Sequence, residues 1–407
     1  MTTVSLPEGL MKYAGRICDL DSHEMLPAQA WVETYGTVAT ELADVFLTQQ
    51  ETDEFNKNHP NVPDFAGDTR PVDPASVWLQ KGCKAPGAMD IARRLEVMDA
   101  MGVGRQLMFP TGLGLFGLVL AVMPQENLYH CMGNIGGDRR AKGKELLKAY
   151  NEWGLRVGRI SDRVRPALPL LAETVDELME SARYLLSNGA RALFLPSSIP
   201  PGGRSPAHPD LDPFWQMVTD ANAVICLHIG GEGGTFLDTP EWGNSPVFEN
   251  FRSLGEFRVD PWALSVQHLP TQNFLATAIV GGVFDRHPDL RFAAVETGAG
   301  WIGPLLENLD VWNAMGKAFG TKDSFKLPEK PSFYIRRNVR VTPFDFEPID
   351  RYIEWYGLED VLCFASDYPH VEGGTNPAGA MYDRIARLGP KVVEKFFVTN
   401  GQWLLPE

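Results

Sequence analysis

LDPFWQMVTDANAVICLHIGG (211–231) reads as an amphipathic helix followed directly by a short, unbroken apolar run. A run without polar alternation suits a strand covered on both faces, which is the setting of a parallel sheet under helices. The same alternation recurs along the chain. GRQLMFPT follows the helical MDIARRLEVMDAMGV, and VRPALPLL follows a helical stretch over 141–161. A Thr-capped, Gly-closed helix, TVDELMESARYLLSNG, leads into ARALFLPS. TQNFLATAIVGGVFDRHP precedes LRFAAVETGAG, and FEPIDRYIEWYG separates NVRVTP from DVLCFASDYPH. With ICDLDSH at the start, roughly eight strands predict an α/β fold, a (β/α)8 TIM barrel. A doubly wound open sheet is the runner-up. We expect one domain over 1–407 with insertions at about 28–90 and 112–146. Residues 28–90 are polar and Pro/Gly-punctuated and read as an elaborated N-terminal loop or helical insertion.

Composition narrows the function. The 407 residues are 44% hydrophobic and 22% charged, with a net charge of −15, which argues against a nucleic-acid or anionic-membrane partner. GLGLFGLVLAVM (112–123) is too short to span a bilayer and reads as a core or lid helix. MTTVSLPEGLMKYAG lacks the basic and apolar regions of a secretory signal. The five cysteines show no C-x-x-C spacing, which fits reduced thiols and a cytoplasmic location. Cys18, Cys226 and Cys363 sit in apolar runs as small core residues.

In a parallel barrel the catalytic groups come from the C-terminal ends of the strands, because those ends open on one face. Strand one ends in Asp21 and His23, another in His228, the sixth in Glu296, and the last in Asp367, with His370 three residues on. Any one of these residues has an ordinary structural use, as a helix cap or a satisfied core histidine. Together Asp21, His23, His228 and Asp367 form an Asp/His/His/Asp set suited to a divalent metal with a position open to water. His268, just before a helix, is a candidate to orient substrate or stabilise an oxyanion, against the plain reading as a helix-entry residue. Glu296 and His370 are candidates for the acid and for a supporting hydrogen bond. His59, His130, His208 and His287 read as loop or helix-end residues. Trp301 and Trp242 are candidate cavity walls, and Arg204, Arg252 and Arg258 candidate partners of a substrate carboxylate; core packing and surface solvation are their plain alternatives. GGEGG (230–234) reads as a turn.

The ordered set DLDSHE, RLEVMDAMGVGRQLMFPT, AYNEWG, RVRPALPLL, GARALFLP, HPDLDPFWQMVTDANAVICLHIG, GGVFDRHPDLRFAAVETGAGWIGPLLENLD and FASDYPHVEGG resembles the amidohydrolase-related family over most of the chain. These are metal-dependent TIM-barrel hydrolases and decarboxylases such as aminocarboxymuconate-semialdehyde and γ-resorcylate decarboxylase. The resemblance implies one catalytic metal held by Asp21, His23, His228 and Asp367, with zinc the expected ion and Mn2+ or Fe2+ the alternatives. It also implies a small-molecule substrate and a homodimer. The chain departs from many relatives at Asp21, where they have histidine, and at Glu296, where they have a sixth-strand histidine. Binuclear relatives use a carboxylated lysine on strand four. No lysine lies between Lys148 and Lys317, which favours a single ion.

The expected function is a mononuclear metal-dependent hydrolase that attacks a small carbonyl-containing, aromatic or carboxylic acid substrate with metal-activated water, Asp367 moving the proton. Non-oxidative decarboxylation of an aromatic or unsaturated acid is the alternative, and a catalytically dead barrel kept for binding is the third reading.

Overall fold

The computed structural model describes residues 5–48, 71–125, 130–229, 245–248, 261–319 and 327–406. Seven parallel strands run in the order β1 (Ile17–Asp19), β2 (Val103–Met108), β3 (Val164–Pro169), β4 (Ala192–Phe194), β5 (Val224–His228), β6 (Arg291–Val295) and β7 (Val339–Val341). Each strand pairs with its sequence neighbours, as successive βα units require.

The expected eighth strand is not a regular one. Residues 361–368 instead bridge the two edges of the sheet: Cys363 N donates to Val341 O at 3.0 Å, while Leu20 N donates to Phe364 O at 3.1 Å and Asp367 N to Asp21 O at 2.8 Å. Phe364 N turns outward to Phe396 O, and Asp367 takes a left-handed backbone with φ of 52°. These departures interrupt the ladder while the ring still closes. The result is a TIM-barrel-like α/β fold, and the open-sheet alternative fails on this closure.

The apolar runs are explained by two buried layers. Inside the ring lie Ala167, Ala192, Phe194, Val224, Cys226, Ala293 and Cys363. Outside it, Leu168, Leu193, Ile225, Phe292 and Leu362 pack under the helices. A strand whose two faces are both covered has no reason to alternate. Thr174 caps the helix Val175–Ser187 by accepting from Glu177 N at 3.2 Å, a contact worth about 1 kcal/mol. Below the strands the C-terminal residues close the ring, with Arg105 donating to Leu405 O at 2.9 Å and Arg340 lying 3.9 Å above the Trp403 ring.

Part of the stretch read as an elaborated loop or helical insertion is helical. Ala28–Tyr35 and Thr40–Thr48 bury Trp31 and Phe46, whose rings stand 5.5 Å apart, and Trp31 lies 5.8 Å from Phe116. Phe116 belongs to Leu113–Val122, which is buried along nearly its whole length and so is a core helix, not a lid. That helix crosses Arg139–Gly158 so closely that a Cβ on Gly143 would lie 2.5 Å from Ala121 N. His59, Trp242, Arg252, Arg258 and GGEGG lie outside the described residues. All five cysteines are buried and unbridged. Among the described residues, no helix is long and apolar enough to cross a membrane.

Candidate metal centre

Val224, Cys226 and His228 share the inner face of β5, so the alternation that packs the first two in the core lifts His228 to the rim. Glu296 and Asp367 reach the same point by another route. Both have positive φ, 55° and 52°. Left-handed backbone is costly for a side chain with a Cβ and persists where the surroundings enforce it, commonly at functional sites. Asp21 and His23 follow β1, held against the 361–368 segment by the Asp367 N to Asp21 O bond and by His23 N donating to Tyr368 O at 2.8 Å.

Asp21, His23, His228 and Glu296 each offer a ligand atom within 4.8 Å of the others, while Asp367 forms a second group with His23 and His370, the two groups sharing His23. His23 Nε2 lies 3.2 Å from Asp21 Oδ1 and 3.3 Å from Asp367 Oδ1, and His228 Nε2 lies 3.5 Å from Asp21 Oδ1. All four atoms are buried, and none completes a hydrogen bond. Close-set polar atoms without hydrogen bonds leave a cation as the group that satisfies them. Ligands about 2.0–2.1 Å from a tetrahedral ion sit roughly 3.3 Å apart, close to the spacings found. The donor set, two imidazoles and two carboxylates, therefore fits a divalent ion.

Glu296 belongs to the group around His228 and His370 to the group around Asp367. Glu296 Oε2 is 3.1 Å from His228 Nε2. His370 stacks on His23 with ring centroids 3.7 Å apart, directs Nδ1 at Asp367 Oδ1 at 2.9 Å, and meets Thr111 Oγ1 through Nε2 at 2.8 Å. Phe109 stacks on the His228 ring at 4.2 Å, while His228 Nδ1 lies 2.6 Å from Ile229 O. A proton on Nδ1 would bond that carbonyl and leave Nε2 as the donor atom.

The electrostatics follow from crowding acids and imidazoles in a dry pocket. Burial opposes the charge on Asp21, but the approach of His228 and His23 outweighs it and holds the carboxyl below the usual range. Burial, and then the charge of His370, lowers the His23 pKa and favours the neutral, ligating imidazole. Burial also works against a charge on His228, yet Asp21 and Glu296 prevail and raise its pKa. Glu296 is pushed up to about 8, by burial first and Asp367 second. Protons thus balance the acids where a divalent cation would otherwise do so, and binding one would release protons.

His268 is not drawn into the cluster. It is half-buried at the start of Leu269–Val280 and lies parallel to Trp301 with centroids 6.1 Å apart; Trp301 donates to Gly298 O at 2.8 Å. Arg204 pairs with Asp210 at 3.2 Å, in line with its surface reading. His208 accepts from Asp210 N, and His287 ends a helical turn beside Asp212 at 3.2 Å, as their helix-end reading expects.

Sequence reasoning passed over the residues behind the cluster. Asp19 is fully buried and accepts from Ser366 N at 2.8 Å, Ser366 Oγ at 2.6 Å and Gln106 Nε2 at 2.8 Å, tying β1 to β2 and to the closing segment. Burial pushes its carboxyl up to about 7 despite these donors. Glu24 accepts from Leu26 N and Thr111 N, both at 3.0 Å, and Arg94 donates to His23 O at 2.6 Å and Gly87 O at 2.8 Å. The available signal was DLDSHE itself, three acids in six residues beside an apolar strand. Buried acids need partners.

Comparison with known proteins bears on the fold and the family. Solved structures with a similar fold include an amidohydrolase from Mycobacterium avium subsp. paratuberculosis K-10, at 19% identity and a TM-score of 0.65, covering 96% of this chain and 98% of that one. A 5-carboxyvanillate decarboxylase from Sphingomonas paucimobilis is 17% identical with a TM-score of 0.57, over 96% of this chain and 98% of that one. The 5-carboxyvanillate decarboxylase of Novosphingobium aromaticivorans DSM 12444, complexed with manganese and 4-hydroxy-3-methoxy-5-nitrobenzoic acid, is 15% identical with a TM-score of 0.57, covering 100% and 99% of the two chains. No curated protein sequence matches the chain. The amidohydrolase family model matches residues 143–406, well over half of the sequence. With that match added to a TIM-barrel-like fold and a buried donor set at its rim, the chain belongs to the amidohydrolase family and is an enzyme, a hydrolase or a decarboxylase.

Proposed function

We propose that this is a mononuclear metal-dependent hydrolase of a small carbonyl-containing carboxylic acid, with Asp21, His23, His228 and Asp367 as the ligands. The reading is supported by the close approach of His23 to Asp21 and Asp367 and of His228 to Asp21, through buried atoms that complete no hydrogen bond. A divalent ion in such a set acidifies water and polarises a carbonyl. With Oδ1 turned to His23 and His370, Asp367 would use its other carboxylate oxygen to take a proton from water and return it to the leaving group. Glu296 holds the His228 side of the cluster, and Phe109 keeps water from that imidazole. Zinc is the ion we assign, with Mn2+ as the alternative favoured by the manganese complex of the Novosphingobium enzyme.

Decarboxylation is the second reading. It is favoured by the decarboxylases among the similar folds, which include a 2,6-dihydroxybenzoate decarboxylase. Metal-loaded protein incubated with a panel of hydroxybenzoates separates the two. We expect no CO2; metal-dependent release moves the assignment to a decarboxylase.

A further inference from the structure

Ala293 and Val295 of β6 face the inside of the ring and Ala294 packs outward, so a strand continued by one residue would turn Glu296 towards the helices. The backbone is instead left-handed at Glu296, with φ of 55°, and its buried carboxylate comes round to β5, where Oε2 stands 3.1 Å from His228 Nε2. Glu296 N donates to Thr342 Oγ1 at 3.2 Å, which fixes the bend to the end of β7. The contact with His228 lacks the geometry of a hydrogen bond: Nε2 is shut away from solvent and completes none among the described residues. Asp21 Oδ1, 3.5 Å from the same nitrogen, is in the same condition. A carboxylate that only steadies a ligating imidazole bonds the ring nitrogen turned away from the ion. In His228 that nitrogen, Nδ1, is already 2.6 Å from Ile229 O. Glu296 stands at the other one, beside Asp21.

We propose that Glu296 is itself a ligand of the ion held by Asp21, His23 and His228, so that β6 supplies the metal with a donor atom and not merely a support for an imidazole. The inference rests on the metal-enzyme reading above and adds a donor to it, on the His228 side of the cluster, opposite the side from which Asp367 approaches His23. Backbone strain of this kind persists where the surroundings enforce it, and a carboxylate turned against the alternation of its own strand onto a ligand nitrogen is a use that justifies it. With a third carboxylate the donor set becomes richer in oxygen, the character that suits manganese.

The test uses full-length protein, wild type, Glu296→Gln and Asp345→Asn, stripped of metal and reloaded with Mn2+ or Co2+. Asp345 lines the same cleft as Glu296 and so controls for the loss of a negative charge alone. Glu296→Gln is expected to lower Mn2+ affinity, by chelator competition, more than ~100-fold, beyond the range of groups that only orient a ligand. It should also move the visible absorption bands of bound Co2+, which report the atoms bonded to the ion. Asp345→Asn should keep the wild-type bands and stay within ~10-fold of wild-type affinity. Circular dichroism of the metal-free forms checks that the variants fold; if Glu296→Gln does not, Glu296→Asn, a side chain that tolerates left-handed backbone, is read in its place. Unchanged Co2+ bands in the Glu296 variant, or a loss of affinity no larger than that of Asp345→Asn, overturns the proposal and leaves the other ligands standing. Wild type that binds neither ion fails the metal-enzyme reading instead, and this inference falls with it.

Discussion

His23 Nε2 and Asp367 Oδ1, from opposite ends of the chain, stand 3.3 Å apart in a buried pocket, and neither atom completes a hydrogen bond. Ring closure by the 361–368 segment makes this meeting possible, since the same backbone bonds that shut the barrel set Asp367 beside Asp21 and His23. Two groups brought this close without bonding are costly alone and favourable around a cation, so a bound ion would stabilise the closed barrel.

Protein purified without chelator is expected to carry about one divalent ion per chain by elemental analysis, and His228→Ala and Asp21→Asn to carry far less. Stripping the ion should lower the thermal midpoint, and adding it back at 100 times its Kd should restore about 2.7 kcal/mol. Metal-free wild-type protein with an unchanged midpoint would count against the ligand set.

Asp367→Asn keeps the volume and the left-handed turn but loses the base. We expect a folded protein, by circular dichroism, with at least ~100-fold lower turnover. A near-normal rate removes Asp367 from proton transfer.

Asp19 touches no substrate, yet three donors depend on it. Asp19→Ala should lower stability by about 2–4 kcal/mol in denaturant melts, because Ser366 and Gln106 are left unpaired in a dry site. It should also weaken metal binding ~10–100-fold, the usual scale for groups that hold ligands in place. Intact metal affinity would show that the closing segment keeps its position without Asp19.

At the helix crossing, a Cβ on Gly143 would stand 2.5 Å from Ala121 N and 2.6 Å from Gly117 O, both backbone atoms that cannot rotate away. Gly143→Ala is expected to cost about 1–3 kcal/mol by overpacking. Gly136→Ala, with open space around it, is the control and should be close to neutral. Equal melting of the two variants would mean that the helices separate cheaply.

The sequence by itself determined the alternation of buried strand and amphipathic helix, because strands covered on both faces leave continuous apolar runs. It also offered Asp21, His23, His228 and Asp367 as candidate ligands, since a parallel barrel gathers the C-terminal ends of its strands on one rim; the structure sets Glu296 with the first three and Asp367 with His23 and His370. Only the tertiary structure decided which neighbours act together. It placed His370 against His23 and Asp367, left His268 beside Trp301, and showed Ala28–Tyr35 and Thr40–Thr48 as core-packing helices where the polar composition had left loop and helical insertion open. It alone revealed that the last strand is irregular and that Asp19, Glu24 and Arg94 brace the site from behind. Hydrogen-bond partners far apart in sequence leave no periodicity, so residues whose role is to satisfy a buried charge become visible only when the chain has brought that charge to them.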